Sequence, residues 1–237
     1  MRFYGSAMPF PHIQGAFRQL LVADAGQCVP ADGLSASEAA MAEPLSVVLH
    51  AAGQVGDLMG KRVLVTGCGP IGLLAVLVAR AAGAVEVVAT DVTDFTLGKA
   101  HEVGADRVVN LSDTPDGLDA YSADKGHFDI HFECSGVGAA LAAAVPAIRP
   151  GGTIVQLGLG GDMTLPMQTM TAKEISLKGS FRFHSEFRLV VEMMLSGRLN
   201  VATLVTHRMP VLDAVNAFET AGDRNRAIKV HLEFTPD

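Results

Sequence analysis

Hydrophobic and polar positions change their rhythm twice along this chain. Residues 1–33 are short extended stretches punctuated by Gly5, Pro9, Pro11 and Gly15, with one strand-like apolar run, Phe17–Val22, and no helical period. From Ser35 to Gln54 the apolar positions fall at helical spacing. Ser35 with Glu38 three residues later forms a capping-box signature, and Pro44 suits the first turn of a second helix.

A strict alternation follows. Strands are predicted at Arg62–Thr66, Val85–Thr90, Arg107–Asn110, Phe128–Glu133 and Thr153–Leu157, with helices between them at Ile71–Ala82, Phe95–Val103 and Gly138–Ala147. In the first of these helices Ile71, Leu74, Ala75, Val78 and Ala82 share one face. The strands are apolar almost throughout, which fits a parallel sheet covered by helices on both sides. The pattern therefore predicts an α/β, doubly wound parallel sheet. After Gly161 the rhythm loosens: a strand is expected at Glu174–Ser180, helices at His184–Ser196 and Val211–Ala221, and a terminal strand at Ile228–Phe234 that returns to a different domain.

Composition narrows the function classes. Apolar residues make up 49% of 237, enough for a sizeable core, and the net charge is −7. No segment concentrates enough Lys and Arg to neutralise a row of phosphates, so nucleic acid is not an expected partner. The uncharged run Val63–Ala79 is broken by Gly67, Gly69, Pro70 and Gly72 into a strand, a turn and a helix, so no membrane span is expected. Cys28, Cys68 and Cys134 are too few and too far apart for a disulfide framework or a zinc cluster; they read as buried small side chains in a reducing, cytoplasmic protein. The first residues, MRFYGSAMPF, lack the apolar core of a signal peptide.

The chemistry concentrates in VLVTGCGPIG. Gly67, Gly69 and Gly72 stand in G-x-G-x-x-G spacing directly after a strand and opening a helix. Such glycines provide a tight turn, close approach to a pyrophosphate, and close helix–strand contact, while the helix N-terminus presents free N–H groups to the phosphates. Asp91, about twenty residues on, ends the next strand, where a carboxylate accepts hydrogen bonds from ribose hydroxyls and repels a 2′-phosphate. NAD is thus the expected cofactor. A glycine turn in another α/β protein, such as a methyltransferase, is the alternative on these residues alone.

Several stretches in order, VLVTGCGPIGLLAVLVARAAGA, DVTDFTLGKAHEVGAD, FDIHFECSG, RPGGTIVQLGLGG, KEISLKGSFRF and AFETAGDRNRAIKVHLEF, resemble the zinc-dependent medium-chain dehydrogenases, in particular the sorbitol and L-idonate 5-dehydrogenase group. The resemblance extends from about Gly15 onward. It implies a Rossmann domain with remnants of a mostly β catalytic domain at both ends: residues 1–43, a cofactor-binding core at 44–184, and a return segment at 185–237. It implies an NAD-dependent oxidation of a secondary alcohol of a polyol or sugar acid, in a homo-oligomer, dimer or tetramer.

The resemblance also assigns roles. Glu43, in MAEPLSV, matches an acid that faces the catalytic zinc and the substrate. Pro70 and Ile71 belong to the cofactor turn. Thr96 stands where an adenosine-contacting arginine is common. Leu157, Gly158 and Leu159 match the stretch that passes the nicotinamide, and Phe181, Arg182 and Phe183 a segment touching nicotinamide and substrate. Independently, a guanidinium such as Arg182 suits a carboxylate or polyol hydroxyls. An ion pair for Arg182, or a helix N-terminal acid favoured by the dipole for Glu43, is the plainer alternative.

Relatives carry a preceding, mostly β domain with a Cys and a His-Glu pair for zinc. None of these motifs is in this sequence, so catalytic zinc is expected to bind poorly, with Glu43 its one possible ligand. The dipeptide His101-Glu102 lies on the helix after Asp91 and reads as a solvated face. His50, His184 and His207 read as structural or solvent-facing. Two other readings stay open: a dinucleotide-binding module without chemistry, and a zinc-free quinone reductase relative, against which Asp91 argues.

Overall fold

The computed structural model describes residues 3–234; Met1 and Arg2, at the head of the MRFYGSAMPF stretch, lie outside them. The alternating pattern becomes a six-stranded, wholly parallel sheet. Its strands are β1 (Arg62–Thr66), β2 (Glu86–Asp91), β3 (Arg107–Asn110), β4 (Phe128–Glu133), β5 (Ile148–Gln156) and β6 (Ser176–Gly179), in the order β3-β2-β1-β4-β5-β6. The chain winds outward from β1 in one direction and then from β4 in the other, so the order reverses between β1 and β4. That reversal opens a crevice at the carboxyl ends of the two central strands.

Helices cover both faces. They are α1 (Ala36–Ala40), α2 (Ala42–Val55), α3 (Pro70–Ala81), α4 (Asp94–Glu102), α5 (Gly138–Ala144), α6 (Met167–Ala172), α7 (Glu186–Leu195) and α8 (Ala214–Gly222). Alternate residues of a strand point to opposite sides. Accordingly Val63 and Val65 join one core cluster with α2, α3 and α7, while Leu64 joins a second with Phe128, Leu141 and Ile154. Among the described residues no helix is long and apolar enough to cross a membrane.

The expected capping box forms: the Glu38 N–H donates to the Ser35 hydroxyl at 3.2 Å, and the Ser35 N–H donates to the Glu38 carboxylate at 2.9 Å. Pro70 occupies the first turn of α3, where no N–H is needed.

Four expectations are corrected. Ala82 does not share the apolar face of α3: it lies exposed beyond the helix's end, while Leu73, Leu74, Ala75, Val76, Val78 and Ala79 are buried because the helix is wedged between the sheet and α2. Phe17–Val22 forms no strand; Phe17, Leu20 and Val22 are 70%, 89% and 97% exposed, and among the described residues no strand pairs with them. A strand that the pattern did not predict, β7 (Val205–Pro210), pairs in parallel with the terminal strand β8 (Lys229–Glu233). Its sequence, VTHRMP, has no apolar run because none of its positions is fully buried. Cys28 is exposed and Cys134 half-buried; of the three thiols only Cys68 is fully enclosed.

Candidate dinucleotide site

The loop between β1 and α3 lies at the sheet's reversal point, and its three glycines are required for two different reasons. Gly67 has φ +85°, and a Cβ there would lie 2.7 Å from the Ser135 backbone. A Cβ on Gly72 would lie 1.8 Å from the Gly67 carbonyl oxygen. These two are forced by the protein's own packing. Gly69, the N-cap of α3, has an ordinary φ of −70° and no atom within 4 Å of its would-be Cβ. The protein gives no reason for a glycine there; a ligand drawn close to the backbone does. Ile71 follows, half-buried, in the first turn of α3, whose N–H groups face the same space.

Asp91 closes the loop from the side. Its carboxylate accepts the Cys68 N–H at 2.5 Å and the Val92 N–H at 2.6 Å, which fixes it at the carboxyl end of β2 beside the glycines. The Cys68 thiol donates to the Thr90 carbonyl at 3.5 Å. Burial, and then the neighbouring Asp91 charge, push its pKa far up, so it is an inert filler beneath the loop. Thr96 does not fit a cofactor contact: it is 3% exposed and its hydroxyl donates back to the Thr93 carbonyl at 2.8 Å, inside the first turn of α4.

On the other side of the crevice the loops after β4 and β5 lie against each other. Leu157 and Gly158 both donate their N–H to the Glu133 carbonyl at 2.9 Å. A Cβ on Gly158 would lie 2.1 Å from the Gly136 nitrogen, so this glycine too is fixed by packing. Leu159 projects outward, 83% exposed. The residue organising this side is one the sequence did not single out. Glu133 is fully buried, and its carboxylate accepts from Ser135, Gly136 and Gln156. Its signal was present as an acid ending a strand in FDIHFE.

Phe181, Arg182 and Phe183 follow β6. Arg182 has φ +61°, unusual for a residue with a side chain and a sign of local strain. Its guanidinium lies 4.2 Å from the Phe3 ring centre and 5.2 Å from that of Phe181, and Nη2 donates to the buried Ser6 hydroxyl at 2.7 Å. No carboxylate among the described residues forms an ion pair with it, which removes that alternative. Phe183 is buried against Phe3 and stacked on Phe187. Phe3 and Ser6 carry no periodic signal and were not predicted.

Glu43 stands in the first turn of α2, exposed at its surface. The protein around its carboxyl withdraws water and pushes its pKa up; Lys229 and Arg182 pull the other way without cancelling it. Glu43 and Arg182 are thus within electrostatic reach of each other. The histidines are structural: His50 pairs with Glu186 at 2.9 Å and meets the His184 ring edge-on, and His207 Nδ1 contacts Thr206. His101 contacts the Ala105 carbonyl while Glu102 pairs with Lys99 on the outer face of α4.

A family model described as a zinc-binding dehydrogenase matches residues 70–196. The L-idonate 5-dehydrogenase (NAD(P)(+)) of Escherichia coli is 43% identical over 236 residues, 99% of this chain and 68% of its own length. Sorbitol dehydrogenase of Pongo abelii is 38% identical over 87% of this chain; the match spans 58% of that protein. The crystal structure of the Escherichia coli L-idonate 5-dehydrogenase superposes with a TM-score of 0.94, covering 98% of this chain and 67% of that one.

Proposed function

Because this chain belongs to the zinc-binding dehydrogenase family, we propose that it binds NAD and serves the oxidation of a secondary alcohol in a polyol or sugar acid. The observation that carries the cofactor half is the open position at Gly69 between two glycines closed by packing, with Asp91 fixed beside them. Gly69 and the N-terminal N–H groups of α3 would hold the pyrophosphate. Asp91 receives the adenosine ribose hydroxyls and, carrying a negative charge, disfavours a 2′-phosphate.

When bound, the nicotinamide ring supplies the hydride acceptor. The residues of this chain align the partners. Leu157, Gly158 and Leu159 border the nicotinamide half. Phe181 would help exclude water from that half, backed by the buried Phe183. Arg182, held between Phe3 and Phe181, offers its remaining N–H groups to substrate hydroxyls or a carboxylate. Glu43 faces the same end, with a carboxyl more readily protonated than an ordinary one. The division of the chain at residues 43/44 and 184/185, and assembly into a dimer or tetramer, belong to the same proposal.

Zinc does not fit the residues described. Among them no three His, Cys, Asp or Glu side chains converge, and a catalytic zinc takes about three protein ligands. Glu43 supplies one at most. This donor set favours a second reading, in which these residues bind the dinucleotide without turnover.

The two readings separate in one experiment: NAD with L-idonate or sorbitol, followed through nicotinamide reduction, with metal analysis of the same sample. Turnover with stoichiometric zinc establishes the first. Cofactor binding without turnover or zinc establishes the second.

A further inference from the structure

We infer that Glu133 is a positioning residue for the nicotinamide half of the dinucleotide, a reading that rests on the dinucleotide site proposed above. A carboxylate with no exposed surface costs several kcal/mol unless it is richly hydrogen-bonded. Glu133 is. The Ser135 N–H donates to Oε1 at 2.8 Å and the Ser135 hydroxyl donates to the same oxygen. The Gly136 N–H lies 3.1 and 3.2 Å from the two oxygens, and the Gln156 amide nitrogen donates to Oε2 at 2.6 Å. Among the described residues, no cation is paired with it and all of these donors are neutral.

What those donors belong to gives the role. Ser135 and Gly136 form the loop after β4, and Gln156 ends β5 and donates its second amide hydrogen to the Gly158 carbonyl at 2.8 Å. One carboxylate therefore ties the loop after β4 to the loop after β5. The Gln156 orientation supports this: its amide nitrogen serves both Glu133 and Gly158, and its buried Oε1 is left with no partner. The network reaches the glycine loop, because Gly67 packs directly on the Ser135 backbone.

In a sheet of this order, one mononucleotide lies over β1–β3 and the other over β4–β6. Asp91 on β2 takes the adenosine side, so the loops that Glu133 fixes border the nicotinamide side. Glu133 touches neither substrate nor cofactor; it sets where those loops stand.

Glu133→Gln keeps the shape and destroys the match. Wherever its amide nitrogen is placed, it meets an N–H or O–H donor instead of an acceptor. We expect NADH to bind about tenfold more weakly to Glu133→Gln, with ADP affinity unchanged within about twofold. Gln156→Ala, which keeps the carboxylate and removes one tether, shows the same selective loss at smaller size and serves if Glu133→Gln does not fold.

Equal losses for NADH and ADP, or no loss for either, would overturn the inference. Wild-type chain that binds neither ligand would instead sink the dinucleotide site itself, so the two failures are distinguishable.

Discussion

Single residues carry the sharpest tests, because packing and ligand space separate cleanly at adjacent glycines. Gly72→Ala drives a Cβ to within 1.8 Å of a carbonyl oxygen, and neither backbone segment has room to give. We expect a loss of about 3 kcal/mol in denaturant unfolding, at the upper end of overpacking costs. Gly69→Ala meets no protein atom, so its unfolding midpoint stays near that of the parent while NADH affinity falls at least about tenfold. If Gly69→Ala binds NADH normally, the pyrophosphate does not lie there.

His131 offers a second test. It is fully buried in β4 with Nε2 at 2.9 Å from the Thr66 hydroxyl and Nδ1 unpartnered, and burial lowers its pKa to about 3. The unfolded chain protonates this imidazole near its ordinary value of 6.5 and the folded chain does not. Its contribution is complete above 6.5 and drains away as pH falls toward 3. Between pH 7 and 5 that amounts to about 2 kcal/mol. Denaturant unfolding of His131→Gln should lose less stability over that interval than wild type; equal losses would show that another group governs the acid response.

Elements show how far the sequence could be read. Ser35 and Glu38 announced α1 correctly because a capping box is local: its bonds span three residues and need nothing from elsewhere in the chain. Ser35→Ala should therefore cost about 1 kcal/mol, measured as a shift in the denaturant midpoint. The strands of the central sheet were legible for a different reason. Burial on both faces forces continuous apolar runs, as at the centres of Arg62–Thr66 and Glu86–Asp91. Strand β7 escaped notice and Phe17–Val22 misled for one shared cause: whether an extended segment becomes a strand depends on a distant partner, and local pattern does not report it. The candidate site divides in the same way. Gly67, Gly72 and Asp91 were readable from spacing, whereas Thr96 turned inward to bond its own helix turn, and Phe3 and Ser6 reach Arg182 across 176 or more positions of sequence.

At the scale of the whole molecule, the reversal of strand order between β1 and β4 organises everything else. It places the glycine loop, Asp91 and the Glu133 network around one crevice, with Arg182 and Glu43 at the end proposed for the substrate. Elsewhere a cleft of about 430 Å³ opens between α1, α8 and β8, lined by Phe17, Phe218 and Phe234. Exposed apolar surface of that kind underlies the proposed assembly into oligomers. The chain spans 68% of the L-idonate 5-dehydrogenase and 58% of the sorbitol dehydrogenase that it matches. Cofactor choice, by contrast, rests on residues this chain holds. The most direct measurement is a parallel fluorescence titration of the wild-type chain with NADH and with NADPH at fixed ionic strength. The account predicts saturable NADH binding at least about tenfold tighter than NADPH, through the fixed charge of Asp91. NADPH binding as tight as NADH or tighter, or no saturable binding of either, would contradict it.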